Sequence, residues 1–462
     1  MSAPAIGRRG AVPVLVAVGL AQVAVVLDYY SLNMALPTMA DDFGVTTTDM
    51  QWVLSAYLLG FASLLVVGGR LGDMLGRRRV LEAGIVVFGL ASALCAVAPD
   101  EGVLVAFRVL QAAGAALLFP VSMAALNHAF PEARRAWAIG IVVGVANVGT
   151  ALGPFVGGAL TGTLGWRWVF LINVPIAIGA LVMVRLALDE SRDPDAPRRV
   201  DVAGCALLAA GVVGVALAID RAQAWPPAGV AACAAGGVAL LVAFVLWERR
   251  VPAPLVDLGL AANRRFRRIL SAGCLANYGW AGSVLLVTLY LQQVRGYGPL
   301  EAGTLFLAMS AGTAAGGPLS GRLAARLPHE AVMAGSLVVA VAGLLWLAQG
   351  GPIPAYLGAL LVTGLGMGTA YGMVNIGTLA AVDPAQGGQA SGVTFTLMVL
   401  SAAVAVTSGG LLVEALGGGA GAAPEGDAIA SVLRIGAVVT AAGLAVLLPA
   451  VLRRSPAAAA EG

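Results

Sequence analysis

The chain has 462 residues, of which 59% are hydrophobic and only 11% charged, with a formal net charge of +3. Soluble domains carry about 25% charged residues, so this composition excludes an ordinary soluble globular protein and leaves no room for a soluble catalytic or nucleic-acid-binding domain. Every basic residue is an arginine, and in a chain this apolar the position of the arginines carries more information than their sum.

Apolar runs separated by charged or Gly/Pro-rich breaks predict membrane spans at 12–38, 51–69, 79–98, 102–126, 137–161 and 168–187. Two more follow at 203–220 and 228–247, and a last group at 269–292, 302–321, 331–349, 354–378, 390–414 and 429–452. Each approaches the ~20 residues needed to cross a hydrocarbon core about 30 Å thick. The first run follows Arg8 and Arg9 as the apolar part of a signal peptide does, but it continues to Met39 without a convincing cleavage site, so it is expected to remain as a span.

With the N-terminus inside, the arginines at 8–9, 77–79, 134–135, 198–199, 249–250, 264–268 and 453–454 all fall on one side, opposite the sparse Arg167, Arg221, Arg295 and Arg434. Cytoplasmic loops attract arginine, so both termini are expected in the cytoplasm. That bias is the same with or without the pair 203–220 and 228–247. Both members are long enough to cross, and their link DRAQAWPP carries a tryptophan suited to an interface. The expected fold is therefore an all-α integral membrane protein of fourteen transmembrane helices.

The segment GGRLGDMLGRRR at 68–79 is echoed by GGPLSGRLAARL at 316–327, each after the second span of its half. Such an echo indicates a duplicated unit, and duplicated halves are a common build of secondary transporters. The expected organisation is two pseudo-symmetric six-helix bundles, 1–188 and 269–462, joined by a linker, 189–268, that carries two extra central helices.

Four groups of residues stand out against the apolar background. Asp28 lies near the middle of the first span, where an ionised carboxylate costs about 2.5–3.5 kcal/mol even on mild scales. Arg108 falls within the fourth span; at 1.5 Å per residue the two sit at similar depth, so they can pair or exchange partners. Asp28 is the expected proton-coupling and substrate residue, tuned by Arg108 and Gln111, against the plainer reading of a permanent structural ion pair. Gln22, Tyr29 and Asn33 form a polar stripe on the first span, and Asn147, Asn277 and Tyr278 are further cavity-lining candidates. In the loop after the second span, Asp73 among Gly69, Gly72 and Gly76 can pair with Arg77 or Arg78 or with the positive end of a helix, forming a charge latch. The stretch GIVVGVANVGTALGPFVGGAL at 140–160 places Gly140, Gly149, Gly153, Pro154, Gly157 and Gly158 in one span. Glycines four apart admit another helix backbone to backbone, and a proline bends the helix.

Together LDYYSLNMALP (27–37), GRLGDMLGRRR (69–79), RVLQAAGAA (108–116), the 140–158 stretch and WRWVFLINVPI (166–176) resemble the Major Facilitator Superfamily, and within it the 14-span drug:proton antiporters of multidrug or antibiotic efflux type. The resemblance implies export of drugs, antibiotics or other lipophilic small molecules across a bacterial plasma membrane by alternating access, driven by the proton motive force. Its 140–158 motif implies a passage closed to leak, and its 69–79 motif a loop that stabilises one access state. Export of one endogenous metabolite and uptake by symport are the alternatives. The partners implied are protons, a small-molecule substrate and the bilayer, with no nucleic acid, no cofactor and no metal, in a monomer. The residues point away from an enzyme: no H-E-x-x-H or G-x-S-x-G arrangement occurs, no P-loop can form without lysine, and Cys95, Cys205, Cys233 and Cys274 lack metal-ligand spacing.

Overall fold

The computed structural model describes residues 10–32, 34–45, 47–192, 201–222, 225–252, 254–257, 259–417 and 426–454. Asn33 and the side chain of Pro154 lie outside the described residues. Every regular element among the described residues is helical, with no strand.

The first helices are α1 (Ala11–Leu32), α2 (Leu36–Phe43), α3 (Thr47–Leu75), α4 (Arg77–Ala96), α5 (Glu101–Ala129) and α6 (Glu132–Thr163). The chain continues with α7 (Arg167–Leu171), α8 (Asn173–Ala187), α9 (Val202–Asp220), α10 (Pro227–Glu248) and α11 (Gly259–Ala262). The remainder forms α12 (Arg264–Leu289), α13 (Pro299–Ala324), α14 (His329–Leu347), α15 (Ile353–Leu379), α16 (Gly387–Leu416) and α17 (Gly426–Arg454). Boundaries follow local chemistry. Asp100 caps α5 by accepting the Val103 N–H at 2.9 Å, and α2 opens on a proline and stops at Gly44 with φ 67°, a left-handed turn that glycine adopts without strain. The first apolar run is consequently a 22-residue helix followed by a separate 8-residue one, rather than one span to residue 38.

Twelve of the described helical segments are long and apolar enough to cross a membrane. Helix α6 adds a thirteenth if its parts Glu132–Thr150 and Phe155–Thr163, bent by 40°, count as one span. Helix α13 is 26 residues long but is not among them, its run being diluted by glycine, serine and threonine. This makes a multi-pass membrane protein.

The chain divides into two compact units. The first comprises residues 1–138, 148–260 and 382–396. In it α3 and α4 both lie along α5, α1 lies along α8, and α9 runs beside α3 and pairs with α10. The second comprises 139–147, 261–381 and 397–462; there α13 and α14 flank α15, and α17 lies against α12 and α14. Small residues set the closest of these approaches. A Cβ on Gly316 of α13 would stand 2.5 Å from the Thr369 nitrogen of α15, so glycine is what allows this backbone contact in lipid, where dispersion replaces the hydrophobic drive. Phe155, Ile178 and Val438 point outward and are 65%, 59% and 69% exposed, an apolar surface suited to acyl chains.

Candidate functional site

Asp28 sits on α1 at the centre of a fully buried polar cluster within the first unit. Arg108 Nη1 on α5 donates to Asp28 Oδ2 at 2.6 Å and to Gln111 Oε1 at 2.6 Å. Gln111 Nε2 donates to Asp28 Oδ1 at 2.9 Å and to Ser92 Oγ on α4 at 2.6 Å. Asn173, the first residue of α8, donates to Asp28 Oδ1 at 2.7 Å. Arg108 Nε donates to the Val53 carbonyl of α3 at 3.1 Å, and its guanidinium carbon lies 4.1 Å from the centre of the Tyr57 ring. A carboxylate without water needs such compensation, since burying a charge is tolerated only when it is paired and hydrogen-bonded. Three polar atoms remain buried without a hydrogen-bond partner: Arg108 Nη2, Asn173 Oδ1 and the Tyr57 hydroxyl. Spare donor and acceptor capacity inside a closed network lets its bonds be redistributed when one member changes charge.

Sequence reasoning reached Asp28, Arg108 and Gln111 but not Asn173, Ser92 or Tyr57. Asn173 carried a readable signal, a lone amide in the apolar run VFLINVPI. Ser92 and Tyr57 carried none, because a serine and a tyrosine are ordinary in a membrane helix.

The remaining polar candidates are taken up by neighbouring helices. Gln22 Nε2 donates to the Phe119 carbonyl at 2.9 Å and to Ser122 Oγ at 2.7 Å. Tyr29 stacks on Tyr57 with ring centroids 6.4 Å apart. In the second unit, Asn147 donates to the Thr313 carbonyl at 3.1 Å, Asn277 to the Met398 carbonyl at 2.7 Å, and the Tyr278 hydroxyl shares a 2.8 Å hydrogen bond with Ser408.

A second polar centre, also within the first unit, lies where α3 ends. Asp73 and Arg77 form a buried ion pair at 2.8 Å. Asp73 also accepts the backbone N–H of Gly388 at 3.1 Å and of Gln389 at 2.9 Å, both in the first turn of α16. The first N–H groups of a helix have no partner inside it, so Asp73 caps α16 from another element and meets the positive end of its dipole. Arg77 Nη2 donates in turn to the carbonyls of Pro384 and Ala385 at 2.9 and 2.7 Å. Close approach is built in here as well: a Cβ on Gly69 would overlap the Gly388 carbonyl, and one on Gly72 would stand 2.6 Å from a Val121 methyl. Gly76 has φ 112° and packs on Glu190, whose carboxylate accepts the Arg78 and Arg79 N–H groups at 3.1 and 3.2 Å. Arg78 itself pairs with Glu82 at 2.9 Å. Glu190 has no sequence signal, lying more than a hundred residues from the start of α4 that it caps.

The glycines of α6 divide by environment. In the second unit a Cβ on Gly140 would stand 2.6 Å from the Gly317 carbonyl of α13. In the first unit one on Gly153 would stand 2.5 Å from Tyr30 Cβ, and one on Gly157 would overlap the Ser31 carbonyl of α1. Gly149 makes only an ordinary contact with Val23, and Gly158 faces open space.

At the other end of the first unit, Asp42 on α2 accepts the Trp166 indole N–H at 2.9 Å and an Arg167 N–H at 2.7 Å. Those two bonds hold its carboxyl below the usual aspartate range. The described residues contain no cluster of three or more His, Cys, Asp or Glu able to hold a metal ion.

A family model described as the Major Facilitator Superfamily matches residues 18–406. The puromycin resistance protein pur8 of Streptomyces alboniger is 37% identical over 402 residues, covering 85% of this chain and 80% of its own. The multidrug resistance protein Stp of Mycobacterium tuberculosis is 34% identical over 390 residues, covering 82% of this chain and 71% of its own. Among solved structures, the human organic anion transporter MFSD10 superposes with a TM-score of 0.66 at 16% identity, over 94% of this chain and 98% of its own, a likeness of fold.

Proposed function

The chain belongs to the Major Facilitator Superfamily, and from that premise we propose that it is a proton-coupled antiporter exporting drugs, antibiotics or other lipophilic small molecules across the bacterial plasma membrane. Relatives named for puromycin and multidrug resistance support the cargo class. The observation that carries the coupling is the buried Asp28 carboxylate, whose counter-charge is Arg108 at 2.6 Å. Protonation cancels the attraction between them. Arg108 then keeps its bonds to Gln111 and the Val53 carbonyl, while Asp28 becomes a neutral group whose hold on α5 and α8 is weaker. Cargo binding and proton binding compete through this carboxyl, so cargo entry goes with proton release, which is what exchange requires. A ligand can shift such an equilibrium only by its differential affinity for the two states.

The proposed architecture is fourteen spans with both termini in the cytoplasm: six-helix bundles at 1–188 and 269–462, and the linker 189–268 carrying two extra helices, here α9 and α10. The 26-residue length of α13 and the counting of bent α6 as one span support that count, and the clustered arginines support the orientation. The Asp73–Arg77 latch on α16 stabilises one access state, and the glycine contacts of α6 close the passage to leak. The transporter works as a monomer without a cofactor, drawing on the proton gradient.

The test is efflux in inverted vesicles with an imposed pH gradient, using puromycin and a panel of lipophilic dyes and antibiotics. Gradient-dependent uptake of at least one probe, abolished by a protonophore and by Asp28→Asn, is the expected result. Uptake indifferent to both would overturn the reading.

A further inference from the structure

The segment 254–257, between α10 and α11, is tied at every described residue. Arg70 Nη2 on α3 donates to the Pro254 carbonyl at 3.2 Å. Gln389 Nε2 on α16 donates to the Leu255 carbonyl at 2.7 Å. The Val256 N–H donates to Glu248 at the end of α10, at 3.1 Å. Gln386 donates to Asp257 at 3.3 Å. Arg70, Gln389, Glu248 and Leu255 are all buried, and all of these groups belong to the first unit. The α9–α10 pair is itself closed at this end by the Trp247 indole donating to Asp201 at 2.9 Å.

Gln389 is bound twice: its main-chain N–H goes to Asp73 and its side-chain amide to Leu255. Arg70 lies three residues before Asp73, one turn away on the same helix. The strap 254–257 is thus held by the two helices that the Asp73 latch joins. We propose that Gln389 and Arg70 are positioning residues for transport, making the strap and the α9–α10 pair behind it a second fastening on the latch, so that the latch cannot open without the strap being released. The inference rests on the transport reading for its purpose but not for its measurement.

The test is amide hydrogen exchange on the full chain in nanodiscs, comparing the parent with Gln389→Met and Arg70→Met. Neither substitution removes the main-chain donors to Asp73, and Arg70→Met touches no group of the latch. Exchange in 384–392 is expected to accelerate in both variants, along with 249–257, by about fivefold, the effect of losing one net hydrogen bond. In inverted vesicles the turnover of puromycin efflux, where the parent supports it, should change with KM unaltered. Faster exchange at 249–257 with 384–392 at the parental rate would overturn the proposal, as would parental exchange in both segments. If Gln389→Met fails to fold, Arg70→Met alone decides. Should the parent move no cargo, the transport reading falls while the exchange result still stands by itself.

Discussion

Asp28→Asn, alone and combined with Arg108→Gln, separates a coupling carboxyl from a structural one. The substitution keeps the shape of the side chain and removes the counter-charge of Arg108, whose surroundings are the Val53 carbonyl, Gln111 and the faces of Tyr57 and Phe170. Breaking a buried pair by removing one partner costs about 3–5 kcal/mol, because the other charge is left uncompensated. At 1.36 kcal/mol per tenfold, that is roughly two to four orders of magnitude in the folding equilibrium, and thermal unfolding in detergent should register it as a large drop in Tm. Replacing both partners, Asp28→Asn with Arg108→Gln, removes the orphaned charge and should restore most of the stability, since losing both members of a pair is far milder than losing one. Transport should not follow. Gradient-driven efflux should be absent in the single and in the double variant, although the double variant folds. Efflux at the parental rate in a stable double variant would refute the coupling role and leave the pair as a structural ion pair.

Other outcomes follow from the same geometry. Gly157→Val places side-chain atoms against the Ser31 carbonyl and should abolish export or folding, whereas Gly158→Ala, facing open space, should be neutral or stabilise by up to about 1 kcal/mol in a helix interior; parallel thermal melts and efflux assays check the contrast. Asp73→Asn weakens the ties to Arg77, Gly388 and Gln389 together, so surface insertion should persist while efflux falls at least tenfold, measured on matched membrane amounts. Asp42 is held below its unfolded value of about 3.9 by Trp166 and then Arg167. Its contribution to stability is therefore present above that pH and lost as pH falls through the lowered folded value. Across pH 5.5–8, Asp42→Asn should leave the pH dependence of efflux unchanged.

How much of this was legible in the sequence depended on whether the information was local. Apolar runs and arginine clusters are local, and they gave the helical class and nearly every helix position. They missed the break between α1 and α2, because Pro37 looks like a late proline in one long run, and the failure of α13 to match its neighbours in apolarity. The lone charges at 28 and 108 were conspicuous against lipid, and their common depth followed from helical rise alone. Asn173 was visible as a lone amide in an apolar run, but its partner Asp28 lies 145 residues away. Glu190, which caps a helix start more than a hundred residues away, had no local signal at all. The glycines of α6 showed that close contacts exist but not which neighbour each one meets. Gly149 and Gly158 share the pattern of Gly157 but not its packing.

The central claim concerns one proton at Asp28, and the most direct measurement is substrate-triggered proton release by the purified protein in weakly buffered detergent solution. Adding a transported probe should release protons saturably from the parent and none from the folded Asp28→Asn, Arg108→Gln variant. Equal release from both, or none from a parent that binds the probe, would contradict the account.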